Sequence, residues 1–134
     1  MIGMVIISHG ALAEEMRNAI YHVMGPQENL EVIGIEPDDD VDARRLELQE
    51  AVARVNDGSG VIILSDMFGG TPSNLAISLL SQNQVEVIAG FNLPMLIKLV
   101  SIRGSVPMAQ AINDAEDAAK KYINVASKLL AANG

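Results

Sequence analysis

The chain contains no cysteine and no tryptophan. The first absence excludes a disulfide frame, thiol catalysis and a thiolate metal site. Aromatic residues make up only 3% of the 134 residues, so Ile, Leu, Val, Ala and Met must fill the core. Basic residues are scarce: nine Lys and Arg stand against 17 Asp and Glu, for a formal net charge of −8. An acidic chain with no basic patch repels phosphodiester backbones, so no nucleic-acid partner is expected. No apolar run approaches the roughly 20 residues needed to cross a bilayer. The start, Met1-Ile2-Gly3-Met4, lacks the basic region of a signal peptide. These absences together point to a cytoplasmic protein.

Hydrophobic residues are plentiful. At 49% they suffice for a core that needs no covalent staples. The length suits one domain, and no internal repeat, low-complexity tract or linker interrupts it, so residues 1–134 read as a single unit. Residues 2–8 form a short, apolar, β-branched run that predicts a buried strand. Residues 11–24 predict a helix, with Leu12, Met16, Ile20 and Met24 at four-residue steps and Gly25-Pro26 as the stop. Further strands are predicted at 30–35, 61–64 and 85–89. Helices are predicted at 42–56, 72–82 and about 94–100, with a long one from about Pro107 to Ala131. Strands alternate with helices throughout. The fold class is therefore α/β: an open, mainly parallel sheet of about four strands, order 2-1-3-4, with helices on both faces.

In such sheets ligands bind beyond the carboxyl ends of the strands, at the switch point. With strand order 2-1-3, the loops after the first and third strands share a crevice. The first carries Ser8-His9-Gly10. The third carries Ser65-Asp66-Met67-Phe68-Gly69-Gly70-Thr71-Pro72-Ser73-Asn74, and the fourth strand ends at Gly90-Phe91-Asn92. Gly69 and Gly70 allow positive φ and turn backbone N–H groups towards an anion. Thr71 suits a helix N-cap and Pro72 the first helical position. Two helix N-termini, one after His9 and one after Gly70, would favour a phosphoryl group. Asp66 could accept a bond from one ring nitrogen of His9, fixing the tautomer and freeing the other nitrogen to attack. From pattern alone, His9 is either this nucleophile or a structural histidine.

The motifs Ile6-Ile7-Ser8-His9-Gly10, Ser65 to Asn74, and Val85 to Leu96 together resemble the IIA component of the mannose-type phosphotransferase system. The likeness runs from residue 2 to about 100. It implies a phosphoryl relay in which His9 accepts phosphate from a histidine phosphocarrier protein and passes it to a IIB component or spends it as a regulatory signal. It implies that Asp66 orients His9 and that Thr71 contacts the phosphoryl group. Gly10, Gly69, Gly70 and Ser73 are the further candidate phosphate-binding residues; Ser8, Met67, Phe68 and Asn92 are candidates for the pocket lining. Met67 stands where the family can carry a hydroxyl. No cofactor and no metal are implied, and contact with a membrane would be indirect, through a permease complex. The family is usually dimeric, often with a C-terminal strand exchanged. No fifth strand is evident after residue 104, so a homodimer is expected by resemblance alone. The chain ends at Gly134 without a IIB domain, so the acceptor is expected to be a separate chain.

Two alternatives stand beside this reading, one from a related phosphotransfer set and one from a different class. The phosphotransfer subunit of a dihydroxyacetone kinase system shares the early Ser-His pair, but its third-strand loop reads Asp-x-Gly-Ser. A nucleotide- or flavin-binding module would need a Walker loop or G-x-G-x-x-G, and neither is present. Elsewhere, His22 reads as a surface histidine, Asp38-Asp39-Asp40 as a solvated turn, and most methionines as core filler. Met67 and Phe68 are the exception, as an apolar rim for a transient partner.

Overall fold

Strand β1 (Gly3–His9) runs through the centre of the molecule, and six of its seven residues are buried. In a computed structural model that describes residues 1–82 and 84–133, it lies between β2 (Leu30–Ile35) and β3 (Val61–Ser65), with β4 (Val85–Ala89) outside β3. The order is β2-β1-β3-β4 and every pair is parallel, as the sequence predicts. The registers set His9 beside Ile35 and Ile7 beside Ser65. The C-terminal tips of β2, β1 and β3 thus share one edge of the sheet.

Helices cover both faces, and the strand pleat assigns the residues to them. Met4 and Ile6 of β1, with Ile62 and Leu64 of β3, face one side. There they meet α1 (Leu12–Met24), α4 (Leu93–Ile102) and α5 (Met108–Lys121) through residues such as Ile20, Leu96, Leu99 and Ala115. Val5, Ile7, Val61 and Ile63 face the other side. They meet α2 (Val41–Val55) and α3 (Thr71–Ser78) through Leu48, Val52 and Leu75. Each large aliphatic side chain buried in this way contributes about 1.5–3 kcal/mol. Apart from Phe91, the buried residues of both clusters are aliphatic or methionine, as a chain poor in aromatics requires.

One large charge is buried beside it. Arg103, just past α4, donates to the carbonyls of Ile2, Glu28 and Asn29 and to Gln27. It ties the entry to β1 to the turn before β2. Burial lowers its pKa from the ordinary arginine value.

Two helices differ from expectation. The helix predicted over 72–82 ends at Ser78. Beyond it Leu79 and Leu80 bond to carbonyls only three residues back, a tightened last turn. The helix predicted over 107–131 divides into α5 and α6 (Ala126–Asn133). The break covers Ile123, Asn124 and Val125, weak helix formers whose exposed side chains gain no packing to offset that. His22 is exposed in the last turn of α1.

Candidate functional site

His9 ends β1 and Asp66 directly follows β3, so the parallel register brings together residues 57 apart in sequence. The ring Nδ1 lies 2.8 Å from Asp66 Oδ2. The main-chain N–H of His9 donates to the same oxygen at 3.0 Å. Asp66 Oδ1 accepts from the Met67 N–H at 3.1 Å. Both carboxylate oxygens are therefore engaged. Burial pushes the Asp66 carboxyl up, but the two His9 donors and the charge of the ring outweigh it and hold the group below the usual carboxylate range. The Asp66 side chain is 11% exposed, while that of His9 is 52% exposed. The carboxylate is thus sheltered and the imidazole is open. With Nδ1 donating to a carboxylate, a neutral ring carries its proton there and leaves the Nε2 lone pair free.

Gly70 closes on that free nitrogen. Its φ is +85°, and a Cβ added there would stand 2.9 Å from His9 Nε2. Only glycine combines this backbone conformation with this approach. Gly69 also has positive φ, at +83°. Gly10 follows the histidine with φ +55°, and its N–H donates to Ile35 at 2.8 Å. Beneath it, a Cβ on Gly34 would collide with the Gly10 carbonyl.

A cleft of about 450 Å³ opens over this edge, lined by His9, Gly10 and Thr71 together with Glu36, Asp39, Val41 and Arg44. Thr71 is the first residue of α3, and Gly70, not Thr71, is its cap. Gly70 takes the cap position because its extended, positive-φ backbone can enter the helix without a side chain. Val41, the first residue of α2, lies on the other wall. The helix starts bordering the cleft are thus those of α2 and α3. The start of α1 is not among its lining, and the buried Ser8 hydroxyl accepts the N–H of Ala13 there at 2.7 Å.

Several candidates fall elsewhere. Ser8 is fully buried and is used by α1. Ser73 is fully buried, with its hydroxyl turned to the Gly70 carbonyl at 3.4 Å. Asn92 caps α4 by accepting from Met95 and donates to the Ala119 carbonyl at 2.9 Å. Met67 and Phe68 are exposed on the Asp66 loop, and Phe68 borders a neighbouring groove over β4 with Asn92, not the His9 cleft. The acidic turn is also more than a solvated face. Asp40 caps α2 by accepting from Asp42 and Ala43. Asp39 accepts from the Glu36 N–H and from Arg44.

Arg44 is the residue that sequence reasoning missed. The signal was available: strand order 2-1-3 sets the tip of β2 beside β1, and Asp40 as a cap puts residue 44 in the first turns of the next helix. Among the described residues no three His, Cys, Asp or Glu side chains group as a metal site, and no helix is long and apolar enough to cross a membrane.

Comparison with known proteins assigns this geometry to a family. A family model described as "EIIA-man: PTS system fructose IIA component" matches residues 3–125. The fructose-specific EIIA component of Bacillus subtilis is 25% identical over 97% of this chain and 90% of its own length. The mannose-specific EIIAB component of Escherichia coli K12 is 32% identical over 79% of this chain, a match spanning 33% of that longer protein. Among solved structures, an EIIA component from Streptococcus agalactiae shares the fold at TM-score 0.87 and 24% identity, covering 96% of this chain and 99% of that one. A IIA protein associated with the fucose utilization operon of Streptococcus pneumoniae aligns at TM-score 0.84 and 26% identity, covering 95% of each chain. The chain belongs to the EIIA-man family, the IIA phosphotransferase components that relay phosphoryl groups by way of histidine in the sugar phosphotransferase system.

Proposed function

We propose that His9 is the residue that carries the phosphoryl group and that Nε2 is the bonding atom. The observation behind this reading is the pair of hydrogen bonds from His9, ring and main chain, to one oxygen of Asp66, which leaves Nε2 as the free nitrogen beside the Gly70 backbone. In the step, the phosphorus–nitrogen bond on the donor ring breaks and its electron pair stays with the donor nitrogen. Nε2 supplies the pair for the new bond. The His9 ring then gains positive charge, and the Asp66 carboxylate offsets it through the proton that stays on Nδ1. Backbone N–H groups around Gly69, Gly70 and the start of α3, with the Thr71 hydroxyl, hold the phosphoryl oxygens.

The donor is a histidine phosphocarrier protein, and the acceptor is a IIB component or a regulatory partner on another chain. The protein works as a single phosphotransfer domain, in the cytoplasm, as a homodimer. Met67 and Phe68 form the apolar rim on which partners dock for a short time. Relatives are named for fructose and mannose, so the sugar, where transport is the role, is a small hexose chosen by the membrane partners. The test is incubation with phosphoenolpyruvate, its kinase and the phosphocarrier. The expected result is one acid-labile phosphate per chain on His9, lost in His9→Ala.

A further inference from the structure

Arg44 has no part in the reading above, yet it lines the same cleft as His9. Its Nε–H donates to Asp39 Oδ2 at 2.9 Å, and an Nη1–H donates to Glu47 Oε2 at 2.6 Å. These two carboxylates raise the arginine pKa, Glu47 before Asp39, so the charge is permanent. A guanidinium has five N–H donors. Two are committed here, and the remaining three have no protein partner among the described residues. The side chain is 28% exposed, which leaves it open to the cleft but not loose in solvent.

The charge balance of the cleft gives those donors a task. Its lining holds two carboxylates, on Glu36 and Asp39, and Arg44 is the permanent cation among the residues that line it. The lining carries one more carboxylate than permanent cations, so a phosphoryl dianion on His9 finds in Arg44 the one permanent positive charge among the residues that line the cleft, within a chain of net charge −8. The Asp39 and Glu47 bonds also fix the guanidinium before the group arrives, so little ordering is lost at the moment of transfer. The planar fork of an arginine suits two oxygens of one phosphoryl group, which a lysine cannot match.

We infer that Arg44 is a further catalytic residue: its guanidinium, braced by Asp39 and Glu47, grips the oxygens of the phosphoryl group on Nε2 of His9. This rests on the assignment of His9 as the carrier. No bond to phosphorus is made or broken by Arg44; it offsets charge on the group in transit.

The test compares wild type, Arg44→Gln and Arg45→Gln. Arg45 carries the same charge one residue on, but pairs with Asp42 and does not line the cleft. Wild type is first labelled from phosphoenolpyruvate and checked against His9→Ala. A label that survives His9→Ala overturns the carrier assignment, whatever Arg44 does. With that label lost, Arg44→Gln is expected to slow transfer by about 100-fold, and Arg45→Gln to leave it near wild type. The phosphorus NMR titration of the loaded protein is expected to move to higher pH in Arg44→Gln, because a lost cation favours the protonated phosphoryl form. That signal is read on the folded fraction and remains informative if the variant is less stable. Transfer and titration in Arg44→Gln that both match Arg45→Gln would overturn the inference.

Discussion

Asp66 Oδ2 accepts two hydrogen bonds from one residue, from the ring N–H and the main-chain N–H of His9, at 2.8 and 3.0 Å. The ring is thereby tied to its own backbone through a carboxylate on another strand. It can neither flip nor swing without breaking the Nδ1 bond, while the main-chain bond holds Asp66 in place to receive it again. Replacing Asp66 with Ala removes the tautomer control and the balancing charge together. Transfer to His9 should fall by about 10²–10⁴-fold while some labelling persists. Rapid-quench labelling checks this, with circular dichroism to confirm the fold; a wild-type rate would remove Asp66 from the mechanism.

His9→Ala should abolish labelling without unfolding the chain, because the ring is half exposed and packs into no core cluster. The phosphate on wild type should be lost in acid and kept in alkali, since protonation of the ring nitrogen makes it a better leaving group. An acid-stable label would instead point to the Thr71 hydroxyl, which lines the cleft, since Ser8 and Ser65 are fully buried.

Gly70→Ala tests the approach of backbone to nucleophile. The added methyl would sit 2.9 Å from Nε2, at a φ of +85°. Strain of about 1–3 kcal/mol, read as a lower denaturation midpoint, is expected, because φ +85° with ψ 171° is a region open in practice to glycine alone. The larger effect should be on transfer, because the methyl occupies the path of the phosphorus. A variant that loses stability but transfers at the wild-type rate would show that the group approaches from elsewhere.

Asn92→Ala should do the opposite. Loss of the α4 cap costs about 1 kcal/mol, and the bond to the Ala119 carbonyl goes with it. Denaturant unfolding should report the loss, while labelling of His9 proceeds unchanged.

The pH dependence of stability follows from the depressed Asp66 carboxyl. Its folded value lies below the ordinary 3.8, so the unfolded chain takes up the proton first as pH falls. The stabilisation is therefore complete above about pH 4 and is lost as pH drops through the folded value. Asp66→Asn lacks this titration. The stability difference between it and wild type, measured by thermal unfolding, should be larger above pH 4 than below it. A difference that stayed constant into strong acid would contradict the pairing.

Much of this was legible in the sequence because period and placement act locally. Fully apolar β-branched runs marked β1 and β3, and the alternation of strand and helix implied a parallel sheet whose tips gather the loops. That logic put His9 beside Asp66 with no knowledge of distance. It failed where competition between neighbours decides. Thr71 is a good cap in isolation, but Gly70 before it takes the position. Ser8 looked like a pocket residue because it adjoins His9. The strand pleat turns it to the opposite face, where α1 uses its hydroxyl. The break at 122–125 was hidden because residues on both sides favour helix; the weak helix formers within it break the run because Ile123 and Val125 gain no packing to offset their propensity.

The bare contact between Gly34 and the Gly10 carbonyl has a kinetic consequence. With the loop after β1 seated directly on β2 and His9 clamped from β3, the ring cannot travel with its cargo. Donor and acceptor must come in turn to one fixed address, and neither can occupy it while the other is there. Double-reciprocal plots of relay flux against the two partners should then be parallel.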